Sequence, residues 1–197
     1  MQKEHAVAPR PIVKEPHKVL RVKAAALPAR DIGSRRIRDL ISAMRDTLAA
    51  TPDGVGLAAP QIGVSLRVFI VSEEAEEIDR AQKTGWERRR AHEASAERPY
   101  EKRPWRYYAF INPVLKNHSR RTIPDTEGCL SVPGVFGEVP RYEKLTVEAY
   151  DEEGRKITRN CSRFFARVVQ HELDHLEGIL FIDKARNLTE VPEKKEP

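Results

Sequence analysis

The stretch that decides the fold of this chain is Arg163-Phe-Phe-Ala-Arg-Val-Val-Gln-His-Glu-Leu-Asp-His-Leu-Glu-Gly178. Phe165, Val168, Val169 and Leu176 recur at helical spacing, which predicts a core-packed helix starting near Asn160 to Ser162 and ended by Gly178. Within it, His171 and His175 are four residues apart, with Glu172 beside them. Such a pair projects from one helix face and can grip a single metal ion. The bland alternative is a polar surface face. The apolar flanks argue against it, because two imidazoles and two acids packed toward a core without a partner are costly.

Two imidazoles leave a catalytic metal site one protein ligand short. The continuation HExxHxxGxxH fails, because Gly178 is in place but Phe181 stands where the last histidine belongs. A downstream glutamate would have to be Glu190 or Glu193, in a polar tail where little order is expected. That leaves Cys129, set among turn-forming residues in Glu127-Gly-Cys-Leu-Ser131. A thiolate on a loop there would complete a Cys-His-His set with one position open for water. Taken alone, a cysteine is more simply a small buried hydrophobe, and Cys161 near the helix start is expected to be one.

Further out, Ile37, Leu40, Ile41, Met44 and Leu48 form an amphipathic stripe over 34–50, with Ser34 as the expected N-cap. Then comes Gly54-Val-Gly-Leu-Ala-Ala-Pro-Gln-Ile-Gly63. It formally contains a dinucleotide-type glycine pattern, but it follows a helix and runs into Pro60 and a strand, the reverse of what that fingerprint requires. It offers instead a backbone that a ligand can approach closely, and the neutral amide of Gln61, suited to an oxyanion. Arg67–Val71 and Tyr107–Ile111 predict strands. Lys144–Tyr150 alternates Leu145, Val147 and Ala149 inward, and Asp151-Glu-Glu-Gly154 reads as a hairpin turn.

The chain has 197 residues, enough for one domain with a real core. Its net charge of +5 falls mostly before residue 73, without interleaved aromatics, so specific nucleic-acid binding is not expected. Residues 73–106 hold nine acids against nine bases and predict a surface insertion with a solvated helix at its centre. No uncharged run is long enough to span a bilayer and the start lacks the apolar core of a secretory signal, so a soluble, unexported chain without a membrane partner is expected. Two cysteines are too few for a disulfide scaffold and fit a reducing compartment.

Together, Gly54-Val-Gly-Leu-Ala-Ala-Pro-Gln61, Glu127-Gly-Cys-Leu-Ser131 and Gln170-His-Glu-Leu-Asp-His-Leu-Glu-Gly178 resemble the three motifs of the peptide deformylases, in order and over most of the chain. Asn112-Pro113 and Val139-Pro-Arg141 are also similar to that family. The resemblance implies one divalent metal on Cys129, His171 and His175: iron(II) first, zinc or another divalent ion as alternatives. It implies attack of an activated water on the formyl carbon of N-formylmethionine at the start of nascent peptides. Glu172 would act as general acid and base, with Gln61 and the Leu130 N–H stabilising the oxyanion. Val55, Gly56, Phe164 and Val168 would shape the methionine pocket, Gly128 would offer backbone to the peptide, and Glu127 would form a structural ion pair with Arg141. An HExxH peptidase cleaving peptide bonds is the rival chemistry.

The expected architecture is α+β, with antiparallel or mixed sheets packed around the HExxH helix in a single domain. Residues 1–18 are read as an N-terminal extension, 19–183 as the catalytic domain with the insertion 73–106, and 184–197 as a polar tail. The insertion is similar to organellar-type members, and Arg163 stands where many relatives with the Ala166-Arg167 signature keep glycine. Transient ribosome association is a conceivable partnership, although no docking helix is evident at the C-terminus. The expected location is cytoplasmic, or organellar for a eukaryotic source.

Overall fold

Val68-Phe-Ile-Val-Ser72 is buried along its whole length, because its alternate side chains serve two different cores. The computed structural model describes residues 9–51, 54–83 and 106–191. In chain order the elements are helix α1 (Arg35–Ala49), strands β1 (Gly56–Ala58) and β2 (Val68–Ser72), helix α2 (Glu74–Lys83), and strands β3 (Tyr107–His118), β4 (Thr122–Cys129), β5 (Val132–Tyr142), β6 (Lys144–Tyr150) and β7 (Lys156–Ser162). Helix α3 (Arg163–Leu176) and strand β8 (Arg186–Glu190) complete the order. One antiparallel sheet runs β1-β2-β3-β6-β7 and a second runs β4-β5-β8. The expected α+β architecture is present.

From β2, Val68 and Ile70 join Ile37, Leu40, Ile41, Met44 and Leu48 of α1 in one core. Phe69 and Val71 face the other way and pack with Phe165, Val168, Val169 and Leu176 of α3, joined by Leu145, Val147 and Ala149 of β6. The larger sheet therefore lies between α1 and α3, and Phe69 stacks on Phe110 of β3 at 4.6 Å between ring centroids. A third cluster, built on Leu20, Val132, Val139, Leu180 and Phe181, underlies the smaller sheet. The hairpin turn closes where expected, with Gly154 N–H donating to Asp151 O at 3.1 Å and Gly154 at φ +82°.

Helix α3 is held at both ends by distant segments. It starts directly from β7 at Arg163, whose φ of +53° is a conformation that glycine adopts more easily. Ser162 makes no side-chain cap bond; instead the N–H groups of Phe164 and Phe165 donate to the Asp79 carboxylate of α2 at 2.9 and 3.1 Å. At the other end Gly178 has φ +74°, and a Cβ there would come within 2.8 Å of the Arg21 carbonyl carbon, so both backbone conformation and close approach require glycine.

Several expectations need correction. Ser34 is the N-cap residue of α1, as expected, with extended backbone, but it makes no side-chain cap bond. The start of the 73–106 block is not wholly surface: Ala75 and Asp79 are buried, because α2 packs on α3. Residues 84–105 of that block lie outside the described residues. The tail is ordered through β8, which pairs with β5, so Glu190 is an exposed strand residue. Residues 9–18 are not a free extension, since Val13 N–H donates to Gln61 O at 2.8 Å and Glu15 N–H to Ser131 O at 2.9 Å. Among the described residues, no helix is long and apolar enough to cross a membrane.

Candidate metal centre

His171 and His175 come from successive turns of α3, with ring centroids 5.0 Å apart. Cys129 reaches them from the end of β4, where the register with β5 shifts between Gly128 and Cys129. It is a strand-end residue rather than a loop residue, which fixes its backbone more firmly than the sequence suggested. One ligand atom from each of the three lies within 4.8 Å of the others, and Cys129 Sγ stands 3.2 Å from His175 Nε2. Soft sulfur with two imidazole nitrogens is a donor set suited to a divalent transition metal.

The surroundings fit a cation at this point. The Ser131 N–H and the Gln61 Nε2 group donate toward Cys129 Sγ at 3.4 and 3.7 Å. Burial lowers the pKa of His175, helped by the charges of His171 and Arg141, and so favours the neutral, metal-ligating imidazole. Burial works against charge on His171, yet its contacts with Cys129 and Glu127 raise its pKa well above the usual histidine value. Glu127 Oε2 stands 3.0 Å from His171 Nδ1, which leaves Nε2 as the free ring nitrogen.

Glu127 is anchored from behind. Arg141 donates to both its oxygens, Nε to Oε1 and Nη2 to Oε2, each at 2.9 Å. Arg167 Nη1 adds a bond to Oε1 at 2.7 Å and ties the same guanidinium group to the carbonyls of Val139 and, through Nη2, Ile123. Arg141 continues to Asp174 at 2.5 Å, which also accepts from Lys184 Nζ at 2.6 Å. Burial would raise the Glu127 pKa, but the bonds from Arg141 and His171 outweigh it and hold the carboxyl well below the usual carboxylate range. The family resemblance pointed to Arg141. Arg167 went unassigned, although it stands one helical turn before His171 on the same face.

In front of this floor opens a cleft of about 400 Å³. Gln61, Cys129, Leu130, His171 and Glu172 line it, as do Val55, Gly56, Gly128, Phe164 and Val168. His175 lies beneath and Arg141 behind, both buried. Gln61 is fixed in a one-turn 3-10 helix, Ala59–Ile62; its Oε1 accepts from Ala58 N–H at 2.8 Å and its Nε2 contacts Ser131 Oγ at 3.3 Å. Glu172 is 3% exposed, and its Oε2 has no hydrogen-bond partner among the described residues. Burial pushes its pKa up to about 7, with the Glu127 charge acting in the same direction and His171 and Arg141 opposing. A Cβ at Gly56 would come 2.5 Å from Glu172 Oε1, so glycine is what lets this carboxylate lie against β1.

A sequence model described as polypeptide deformylase matches residues 9–191. The peptide deformylase of Symbiobacterium thermophilum is 40% identical over 185 residues, covering 94% of this chain and 70% of its own. Peptide deformylase 1A of Arabidopsis thaliana, described as chloroplastic/mitochondrial, is 40% identical over 173 residues, and the match spans 88% of this chain and 60% of that protein. Among solved structures, the Met-Ala-Ser-bound class I type b peptide deformylase of Acinetobacter baumannii superposes with a TM-score of 0.71 at 30% identity, over 90% of this chain and 99% of that one. The match extends well upstream of residue 19, in keeping with the packing of residues 9–18 on the site. With the three motifs converging on one Cys-His-His centre, this chain belongs to the polypeptide deformylase family.

Proposed function

We propose that this chain removes the formyl group from N-formylmethionine at the start of nascent peptides, releasing formate and a free amino terminus. The observation that carries this reading is the buried, unpartnered Glu172 oxygen beside the Cys-His-His set at the floor of the cleft. A divalent ion on Cys129, His171 and His175, with iron(II) as our proposed choice, would polarise the formyl oxygen and acidify water. Glu172 takes the proton from the attacking water and later delivers it to the amide nitrogen as the carbon–nitrogen bond breaks. A carboxyl group whose pKa lies near neutrality is suited to both halves of that exchange. The Gln61 Nε2 group and the Leu130 N–H stabilise negative charge on the formyl oxygen.

Val55, Gly56, Phe164 and Val168 enclose the methionine side chain, and Gly128 offers its backbone to the peptide. Glu127 and Arg141 act from behind, by fixing the ring of His171 and the strand that carries Cys129. The test is hydrolysis of a formyl-Met-Ala-Ser peptide by protein purified without oxygen, followed by release of the free amine and of formate. Deformylation without peptide-bond cleavage is expected. Cleavage between residues with the formyl group retained would establish the peptidase reading instead.

A further inference from the structure

Among the described residues, the non-histidine charged side chains lining the cleft are Lys14, Glu127, Arg167 and Glu172. Three of them are buried, and Glu127 and Arg167 are bonded to each other. Lys14 alone is exposed. Its segment is clamped across the rim by the bonds from Val13 to Gln61 and from Glu15 to Ser131, so its backbone is fixed against both oxyanion-side elements. Lys14 Nζ donates to the Leu130 carbonyl at 2.6 Å, and among the described residues no carboxylate pairs with it. An ammonium has three donors, so two remain for a ligand. Pro133, Gly134 and Phe136, which line the same cleft, are uncharged and offer no competing acceptor side chain.

We propose that Lys14 selects formylated peptides carrying a carboxylate close behind the methionine, an inference that rests on the deformylase reading. The ammonium bonds the carbonyl of the very residue whose N–H faces the formyl oxygen in that reading. Covalent geometry therefore places it within roughly 6 Å of that nitrogen. An extended residue covers about 3.3–3.6 Å, so a carboxylate at the second or third residue comes within its reach. Two sources supply this chemistry: an acidic side chain there, or the terminal carboxylate of a very short peptide. A rim ion pair strengthens encounter and binding rather than the chemical step, so the preference lies in KM and fades with salt.

The experiment compares kcat/KM for amide-capped formyl-Met-Ala-Glu against formyl-Met-Ala-Gln, and for formyl-Met-Ala-Ser as free acid against amide, with the wild-type protein, K14M and K14E. In the wild type the carboxylate-bearing member of at least one pair should be favoured about two- to fivefold, a magnitude typical of an exposed ion pair. The ratio should fall to near one in K14M and invert in K14E. Because each ratio compares two substrates on the same protein, loss of folded or metal-loaded protein cancels. Preference for glutamate alone assigns the contact to the side chain, and preference for the free acid alone assigns it to the terminus. Ratios near one in the wild type, or unchanged in K14M, overturn the inference and leave deformylation standing. Failure to deformylate any of the four peptides overturns both.

Discussion

Glu172 is the residue on which turnover rests in the proposed reaction, and its helical spacing between two histidines made it legible before any contact was known. Glu172→Gln keeps the shape but cannot carry the proton, so kcat should fall roughly 10²- to 10⁴-fold while bound metal, measured by elemental analysis, stays constant. Wild-type turnover in that variant would remove Glu172 from the mechanism. Cys129→Ala tests the third ligand: bound metal should be lost on anaerobic purification, and full metal content would return the site to a two-histidine reading. Gly56 was legible only as backbone open to close approach. Its partner is Glu172 itself, and Gly56→Ala would set a methyl 2.5 Å from Oε1 and 2.8 Å from Val168 Cγ1. Displacing that carboxylate should cost roughly 10- to 100-fold in kcat, with metal content unchanged.

At the scale of elements, α3 and the β6–β7 hairpin follow from local periodicity and turn chemistry, and both formed as their sequences imply. The capping of α3 does not follow from its own sequence. Ser162 sits at the right position, but the acceptor for the first N–H groups is Asp79, 85 residues away in the chain from Phe164. A carboxylate at that helix end satisfies two otherwise unpaired donors and complements the helix dipole. Asp79→Ala should therefore destabilise the fold by about 1–2 kcal/mol in urea unfolding, with Asp79→Asn recovering part of the loss. Equal stability of Asp79→Ala and the wild type would show that the block beginning at residue 73 contributes nothing to the helix that bears the histidines.

Across the whole molecule, the buried Glu127, Arg141 and Arg167 and the more exposed Asp174 and Lys184 form one charge network that joins the smaller sheet to α3 and to the C-terminal segment. The folded pKa of Glu127 lies below its unfolded value of about 4.3, so its contribution is complete above that pH and is lost as pH falls toward the depressed value. Urea midpoints should drop between pH 6 and pH 3 by less in Glu127→Gln than in the wild type. At pH 7 that variant should lose roughly 3–5 kcal/mol, because two guanidinium groups lose their shared counter-charge. An identical acid limb in both proteins would discard this assignment. The sequence by itself determined the helix that carries the histidine pair and the alternating strands, because those features are written in spacings of two to four residues. Only the tertiary structure decided that Gln61 meets Ser131 across 70 residues and that Lys14 meets Leu130 across 116, and it set the 3.2 Å at which Cys129, already read as the third ligand, meets His175. The same holds for the pairing of β8 with β5, which orders a tail too polar to announce a strand. Such contacts depend on how the two sheets pack around one helix, and the spacing of residues along the chain carries no record of that packing.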